Sequence, residues 1–113
     1  MKPTVFVNVR NDMAIAREEI FGPVLCVIAY ENDEDAIRIA NDSRYGLHAA
    51  VLGTDVARAR RVVSQLQAGR VVINGMTDDP QAPWGGFKYS GVGREYGQYG
   101  IEAFVETRAI LET

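Results

Sequence analysis

With one cysteine, Cys26, and one histidine, His48, in 113 residues, the chain has neither an internal disulfide nor a His and Cys spacing suited to zinc. The same scarcity removes a serine triad, because Ser90 has no His-Asp set to activate it. Nowhere does an apolar run approach the roughly 20 residues of a membrane helix, and Met1-Lys2-Pro3 does not open a signal-peptide profile. Lysines and arginines are scattered, and a net charge of −3 with a pI near 5.1 gives no basic footprint for nucleic acid. These absences fit a cytoplasmic protein in a reducing compartment.

What is present is the composition of one globular domain: 47% hydrophobic and 24% charged residues. A chain of this length can bury roughly two thirds of its unfolded surface, which predicts a core needing no metal or disulfide. Pro3 to Val7 starts directly in strand-like sequence, as expected of a chain entered mid-domain.

Alternation of Val5, Val7 and Val9 with Thr4, Phe6 and Asn8 predicts a strand over 4–9. Met13 to Glu19 allows two helical turns with Asp12 as cap. Gly22-Pro23 then forces a change of direction into VLCVIAY, Val24 to Tyr30, which reads as an interior strand of a parallel sheet. Asn32 to Asp35 carries a cap and acidic groups for a helix running to Asn41–Arg44, followed by a strand over Leu47 to Leu52.

Thr54 is placed to cap a helix over Asp55 to Gln67, with Val56, Ala59, Val62, Val63 and Leu66 inward and Arg58, Arg60 and Arg61 outward. Ala68-Gly69 ends it, and Arg70 to Asn74 is the next strand. Short connections between alternating strands and helices predict an α/β fold with a parallel sheet and βαβ crossovers. Gly75 to Gly93 is too rich in glycine and proline for a regular element, so a long ordered loop is expected there. A short helix within Tyr96 to Val105 and a strand-like tail over Glu106 to Leu111 complete the chain.

Few residues invite chemistry on local grounds. Cys26 lies in an apolar run without a cationic neighbour, the setting of a buried, inert thiol. Asp78-Asp79 before Pro80 reads as a solvated turn rather than a cation site. Gly91 and Gly93 form a G-x-G pair, but Tyr96 replaces the third glycine of a dinucleotide fingerprint and a loop precedes it, so close backbone packing is the better reason for those glycines. Glu19 and Phe21, where helix, loop and strand meet, are open both to a ligand-facing role and to that of an exposed carboxylate and a core ring.

Two longer motifs carry more weight. Arg17-Glu18-Glu19-Ile20-Phe21-Gly22-Pro23-Val24 is the first; Val72-Ile73-Asn74-Gly75 followed by Pro83-Trp84-Gly85-Gly86-Phe87-Lys88-Tyr89-Ser90-Gly91-Val92-Gly93-Arg94-Glu95 is the second. With NDSRYG at Asn41 to Gly46, they resemble the C-terminal part of the NAD(P)-dependent aldehyde dehydrogenase catalytic domain, and the resemblance spans essentially residues 1–113.

The resemblance implies half of such a catalytic domain, with residues 106–113 leading into the oligomerisation region. Glu19 matches the family glutamate on the nicotinamide-side ribose of NAD or NADP, and Phe21 the aromatic residue beside the nicotinamide. Trp84 matches a phenylalanine lining the aldehyde tunnel; the departure keeps an aromatic wall and leaves tunnel width to be determined. The nucleophilic cysteine, the general base, the oxyanion-stabilising asparagine and the Rossmann-type domain belong to sequence upstream of these motifs, and Cys26 does not match that nucleophile.

The chain alone is therefore expected to be inactive, without catalytic or metal-binding residues and without tightly bound cofactor, while the complete enzyme oxidises an aldehyde to a carboxylic acid. Exposed strand edges favour a homodimer. A non-catalytic binding or assembly module is the alternative.

Overall fold

The computed structural model describes residues 2–113, which form two compact units, 2–43 and 44–113. Each is built on one βαβ crossover. In the first, β1 (Thr4–Phe6) pairs in parallel with β2 (Val24–Cys26) in the register Thr4 to Val24, Val5 to Leu25 and Phe6 to Cys26, with α1 (Ala14–Arg17) between them. α2 (Asp33–Asn41) follows, and the Asn32 side chain caps it by accepting from the Asp35 N–H at 2.9 Å.

The second unit pairs β3 (His48–Val51) with β4 (Arg70–Ile73), again in parallel, across α3 (Val56–Val63). α3 turns Ala59 inward to full burial and keeps its arginines outside, as its apolar spacing predicts, with Val62 and Val63 half-buried; Val56, in its first turn, is instead 44% exposed. The cap, however, is Asp55, which accepts from the Arg58 N–H at 2.9 Å; the expected cap, Thr54, stands one residue too early.

Parallel pairing and crossovers agree with the expected fold class, but the strands are shorter and form two separate two-stranded sheets. The reason at β1 is local. Asn8 takes a left-handed φ of 55°, which interrupts the ladder after the Val27 N–H bond to the Phe6 carbonyl, and only one further bond follows, from the Val9 N–H to the Val27 carbonyl at 3.2 Å. Val24 to Tyr30 is therefore not an interior strand: Leu25 is 59% exposed and Cys26 half-buried. α1 is also shorter than expected and has no side-chain cap, because Asp12 pairs with Arg10 instead.

The expected core is likewise nearly absent. Among the described residues Val9 and Ala59 are the only fully buried apolar ones, while Val5, Val7, Leu52 and Tyr30 remain more than half exposed. Composition alone permits burial; strands of three and four residues covered on one side do not supply it. No helix of the described residues is long and apolar enough to cross a membrane.

Hydrogen bonding orders the glycine-rich segment instead. The Gly46 carbonyl accepts from both Gly69 N–H (3.0 Å) and Phe87 N–H (2.8 Å), and its own N–H donates to Ser90 Oγ at 2.9 Å. A side chain at Gly46 would run into the Gln67 carbonyl, and one at Gly69 into the Gly85 carbonyl, so both positions need the missing Cβ. Asn74, with φ 55°, donates through Nδ2 to the Gly53 carbonyl and accepts through Oδ1 from the Gly53 N–H, each at 2.7 Å, tying together the two chain ends that leave β3 and β4. After a 3₁₀ turn (Lys88–Ser90) and α4 (Gly97–Glu102), the expected tail strand over Glu106 to Leu111 is not formed, because it has no neighbour to pair with.

Losing the paired bonds of Asn74 in Asn74→Ala is expected to lower unfolding free energy by about 1–2 kcal/mol, and Gly46→Ala by at least about 2 kcal/mol through the backbone clash. Denaturant midpoints of the two variants check this, and the hub reading of Gly46 fails if its alanine variant unfolds at the wild-type midpoint.

Candidate functional site

Glu19 and Phe21 lie in the loop that joins α1 to β2. The loop exists because Glu18 is already extended (φ −94°, ψ 139°), which ends α1, and because Pro23 opposes helical backbone before it. Within this turn Phe21 adopts φ 52°, a left-handed conformation uncommon for a bulky residue, and its ring is 93% exposed. An exposed ring held at a strained backbone position gains nothing from burial, so the fold presents it rather than packs it.

Both residues line a cleft of about 430 Å³ with Ile15, Ile20, Val24 and Cys26 among its walls. The Glu19 carboxylate makes no hydrogen bond or ion pair among the described residues, so its acceptor lone pairs face the cleft and solvent unspent. Cys26 sits deeper; its thiol donates to the Ile15 carbonyl at 3.5 Å. The spacing of VLCVIAY predicts burial for this thiol but not its place in the cleft wall.

Arg17 and Asp42 anchor the loop, a link that sequence reading missed. Arg17 Nη1 lies 3.1 Å from Asp42 Oδ1 and also donates to the Asp42 carbonyl, while Asn11 Nδ2 donates to Asp42 Oδ2 at 2.9 Å and to the Ile39 carbonyl at 3.3 Å. The C-terminal carbonyls of α2 are thus capped by the last residue of α1, fixing the start of the Glu18 to Gly22 turn. Bonding from Arg17, assisted by Asn11, holds the Asp42 carboxyl below its ordinary range, and the Arg38 side chain does the same for Asp35. The signal was present in the charge alternation of RNDMAIAR and NDSR, but pairing across 25 residues is not readable from periodicity.

Trp84 belongs to the second unit. Its backbone exchanges two hydrogen bonds with Glu95, at 2.9 and 2.7 Å, closing the glycine-rich segment on itself, and the Arg70 guanidinium lies 4.5 Å from its ring centroid. Asp78 pairs with Arg70 at 2.6 Å and Asp79 accepts from the Gln81 N–H at 2.9 Å. No group of three or more potential metal ligands occurs among the described residues.

A parallel α/β unit with an unpaired carboxylate and a strained, exposed ring at a strand-entry cleft has the groups and the space to receive a ligand. The family follows from comparison. A model of the aldehyde dehydrogenase family matches residues 1–110, and the chain belongs to that family. It is 52% identical over 109 residues to a provisionally named aldehyde dehydrogenase of Staphylococcus haemolyticus, covering 96% of this chain and 23% of that protein.

Solved structures agree. An aldehyde dehydrogenase of Pseudomonas syringae, a cysteine-to-alanine variant with NAD+ and octanal, superposes with a TM-score of 0.92 at 56% identity, over 96% of this chain and 22% of the other. The Mycobacterium tuberculosis aldehyde dehydrogenase complexed with NAD+ gives 0.88 at 53% identity, over 90% and 21%. Betaine aldehyde dehydrogenase of Staphylococcus aureus with NAD+ gives 0.87 at 48%, over 90% and 20%. The chain therefore spans a little over a fifth of the length of these relatives.

Because the folded Asp42 and Asp35 carboxyls titrate below 3.8, their stabilisation is complete above that value and is lost as pH falls beneath it. Urea midpoints taken from about pH 5 down to about pH 2.5 are expected to decline, and Asp42→Asn to flatten the decline. An equal slope in wild type and variant would remove Asp42 from the anchor.

Proposed function

We propose that the chain contributes the nicotinamide-side cofactor contacts and part of the aldehyde passage of an NAD-dependent aldehyde dehydrogenase that oxidises an aldehyde to a carboxylic acid. The observation that carries this reading is the pair at the cleft: Glu19 with its lone pairs unspent and Phe21 exposed at φ 52°. These residues fit the group. A carboxylate accepts from two vicinal ribose hydroxyls, and an apolar ring beside a nicotinamide restricts where that ring lies. When bound, the cofactor supplies the hydride acceptor. NAD+ is the cofactor in the three solved relatives named above, which supports it over NADP here.

In this reading Glu19 orients and Phe21 confines; neither exchanges protons with substrate. Cys26, hydrogen-bonded to a backbone carbonyl and without a histidine or cationic partner, is not the nucleophile. Thiolate attack and thioester hydrolysis require residues from the remaining length of the enzyme, so the chain by itself is inactive and binds the cofactor weakly. Trp84 forms part of the wall along which the aldehyde passes.

Residues 106–113 lead toward the subunit contact, supported by the exposure of Ile110 (80%) and Leu111 (89%) on an unpaired segment. Sedimentation velocity is expected to find a dimer, shifted to monomer by Leu111→Glu; a monomeric wild type would exclude this contact.

The cofactor roles are tested by placing the segment in the Pseudomonas syringae relative in place of its counterpart. Glu19→Ala is expected to raise the KM for NAD+ about tenfold, and Phe21→Ala to lower kcat/KM about tenfold, as lost orienting contacts do. The 113-residue chain alone is expected to form no NADH with octanal. Wild-type kinetics in Glu19→Ala, or activity of the isolated chain that disappears on Cys26→Ala, would overturn the assignment.

A further inference from the structure

Arg70 opens β4, where its N–H donates to the Leu47 carbonyl at 3.1 Å, so its backbone is fixed by the β3–β4 ladder. Its side chain is only 14% exposed and does two things at once: Nη1 pairs with Asp78 Oδ1 at 2.6 Å, and the guanidinium carbon lies 4.5 Å from the centroid of Trp84. Nη2 is buried and has no acceptor among the described residues. A guanidinium free to choose would turn that nitrogen to a carbonyl or to solvent. In the observed placement the guanidinium instead keeps its face over the indole, with Nη1 alone paired to a carboxylate.

We propose that Arg70 is a positioning residue that holds the Trp84 ring in one orientation, with Asp78 steering the guanidinium, and so sets the width of the aldehyde passage. The proposal rests on the reading of Trp84 as a wall of that passage. The backbone of Trp84 is already held by Glu95, which leaves the side-chain torsions as the freedom that matters. Arg70 removes that freedom from the rigid side, and Asp78, 71% exposed on the loop, links the same cation to the segment that carries the ring. Arginine suits this best: its plane stacks while its edge still donates, whereas a lysine ammonium is a point charge with no plane to fix the orientation of the ring.

Trp84 is the sole tryptophan, so fluorescence of the 113-residue chain reads this ring alone. Arg70→Met is expected to raise the acrylamide quenching constant at least about twofold, with Arg70→Lys recovering part of the protection and Asp78→Asn lying between. Unchanged quenching in Arg70→Met sinks the stack. Should that variant lose its circular-dichroism signal, Asp78→Asn decides, since an exposed loop carboxylate can be removed without touching the ladder; wild-type quenching there is equally fatal.

The second arm uses the segment placed in the Pseudomonas syringae relative. Arg70→Met is expected to change the ratio of KM for octanal to KM for acetaldehyde about fivefold, with kcat on acetaldehyde within about twofold of wild type. A ratio altered by Trp84→Phe but not by Arg70→Met keeps the wall and discards the positioning role. A ratio altered by neither, with quenching still sensitive to Arg70, discards the wall reading and with it the control of width.

Discussion

The peptide at Gly46 is the constraint on which the second unit depends. One carbonyl receives Gly69 and Phe87, and the adjoining N–H reaches Ser90, so the start of β3, the approach to β4 and the glycine-rich segment converge on a single residue. Only a residue without Cβ can stand there, because the Gln67 carbonyl occupies the space a methyl would need. The glycine-rich segment is thereby a backbone structure before it is anything else. Its side chains are free to serve a site because its order does not depend on burying them.

A comparable economy operates in the first unit. Among the described residues of this unit Val9 is the only fully buried apolar one, so packing does little to hold the loop carrying Glu19 and Phe21. It is held by Arg17 and Asn11 on Asp42, polar contacts that also complete the end of α2. Exposed ion pairs contribute little individually, so what fixes this loop is the combination of a charge pair, a capped helix end and a proline that forbids the helix from continuing. NDSRYG, which supplies Asp42 to one unit and Gly46 to the other, is thus a structural motif on both sides: it anchors the proposed cofactor loop and organises the segment bearing Trp84.

Much of this was legible from residue types. Asn32 as a helix cap, the burial of Ala59 on α3 and the parallel βαβ units followed from capping chemistry and periodicity, and the two long motifs pointed to the family. The failures share a cause. Val24 to Tyr30 and the tail over Glu106 to Leu111 are apolar enough to be strands, yet a strand is a pairing rather than a composition, and pairing depends on whether a neighbour is present and stays extended. Asn8 interrupts the ladder in the first case, and in the second no neighbour pairs with the segment among the described residues. The Arg17–Asp42 and Arg70–Trp84 contacts were invisible for a related reason: each joins residues whose proximity is created by the fold.

The two aromatic residues proposed for the site show why exposure and order are compatible here. Phe21 is placed by its backbone, through a φ of 52° that the following Gly22-Pro23 turn enforces, and Trp84 is placed by a cation on a neighbouring strand. Neither relies on an apolar pocket of its own. A ring sunk in a core is fixed by its neighbours but unavailable, whereas a ring fixed from behind keeps a face open. For a surface proposed to receive a ligand, the second arrangement is the useful one, since surface already covered by the protein offers the ligand nothing to bury.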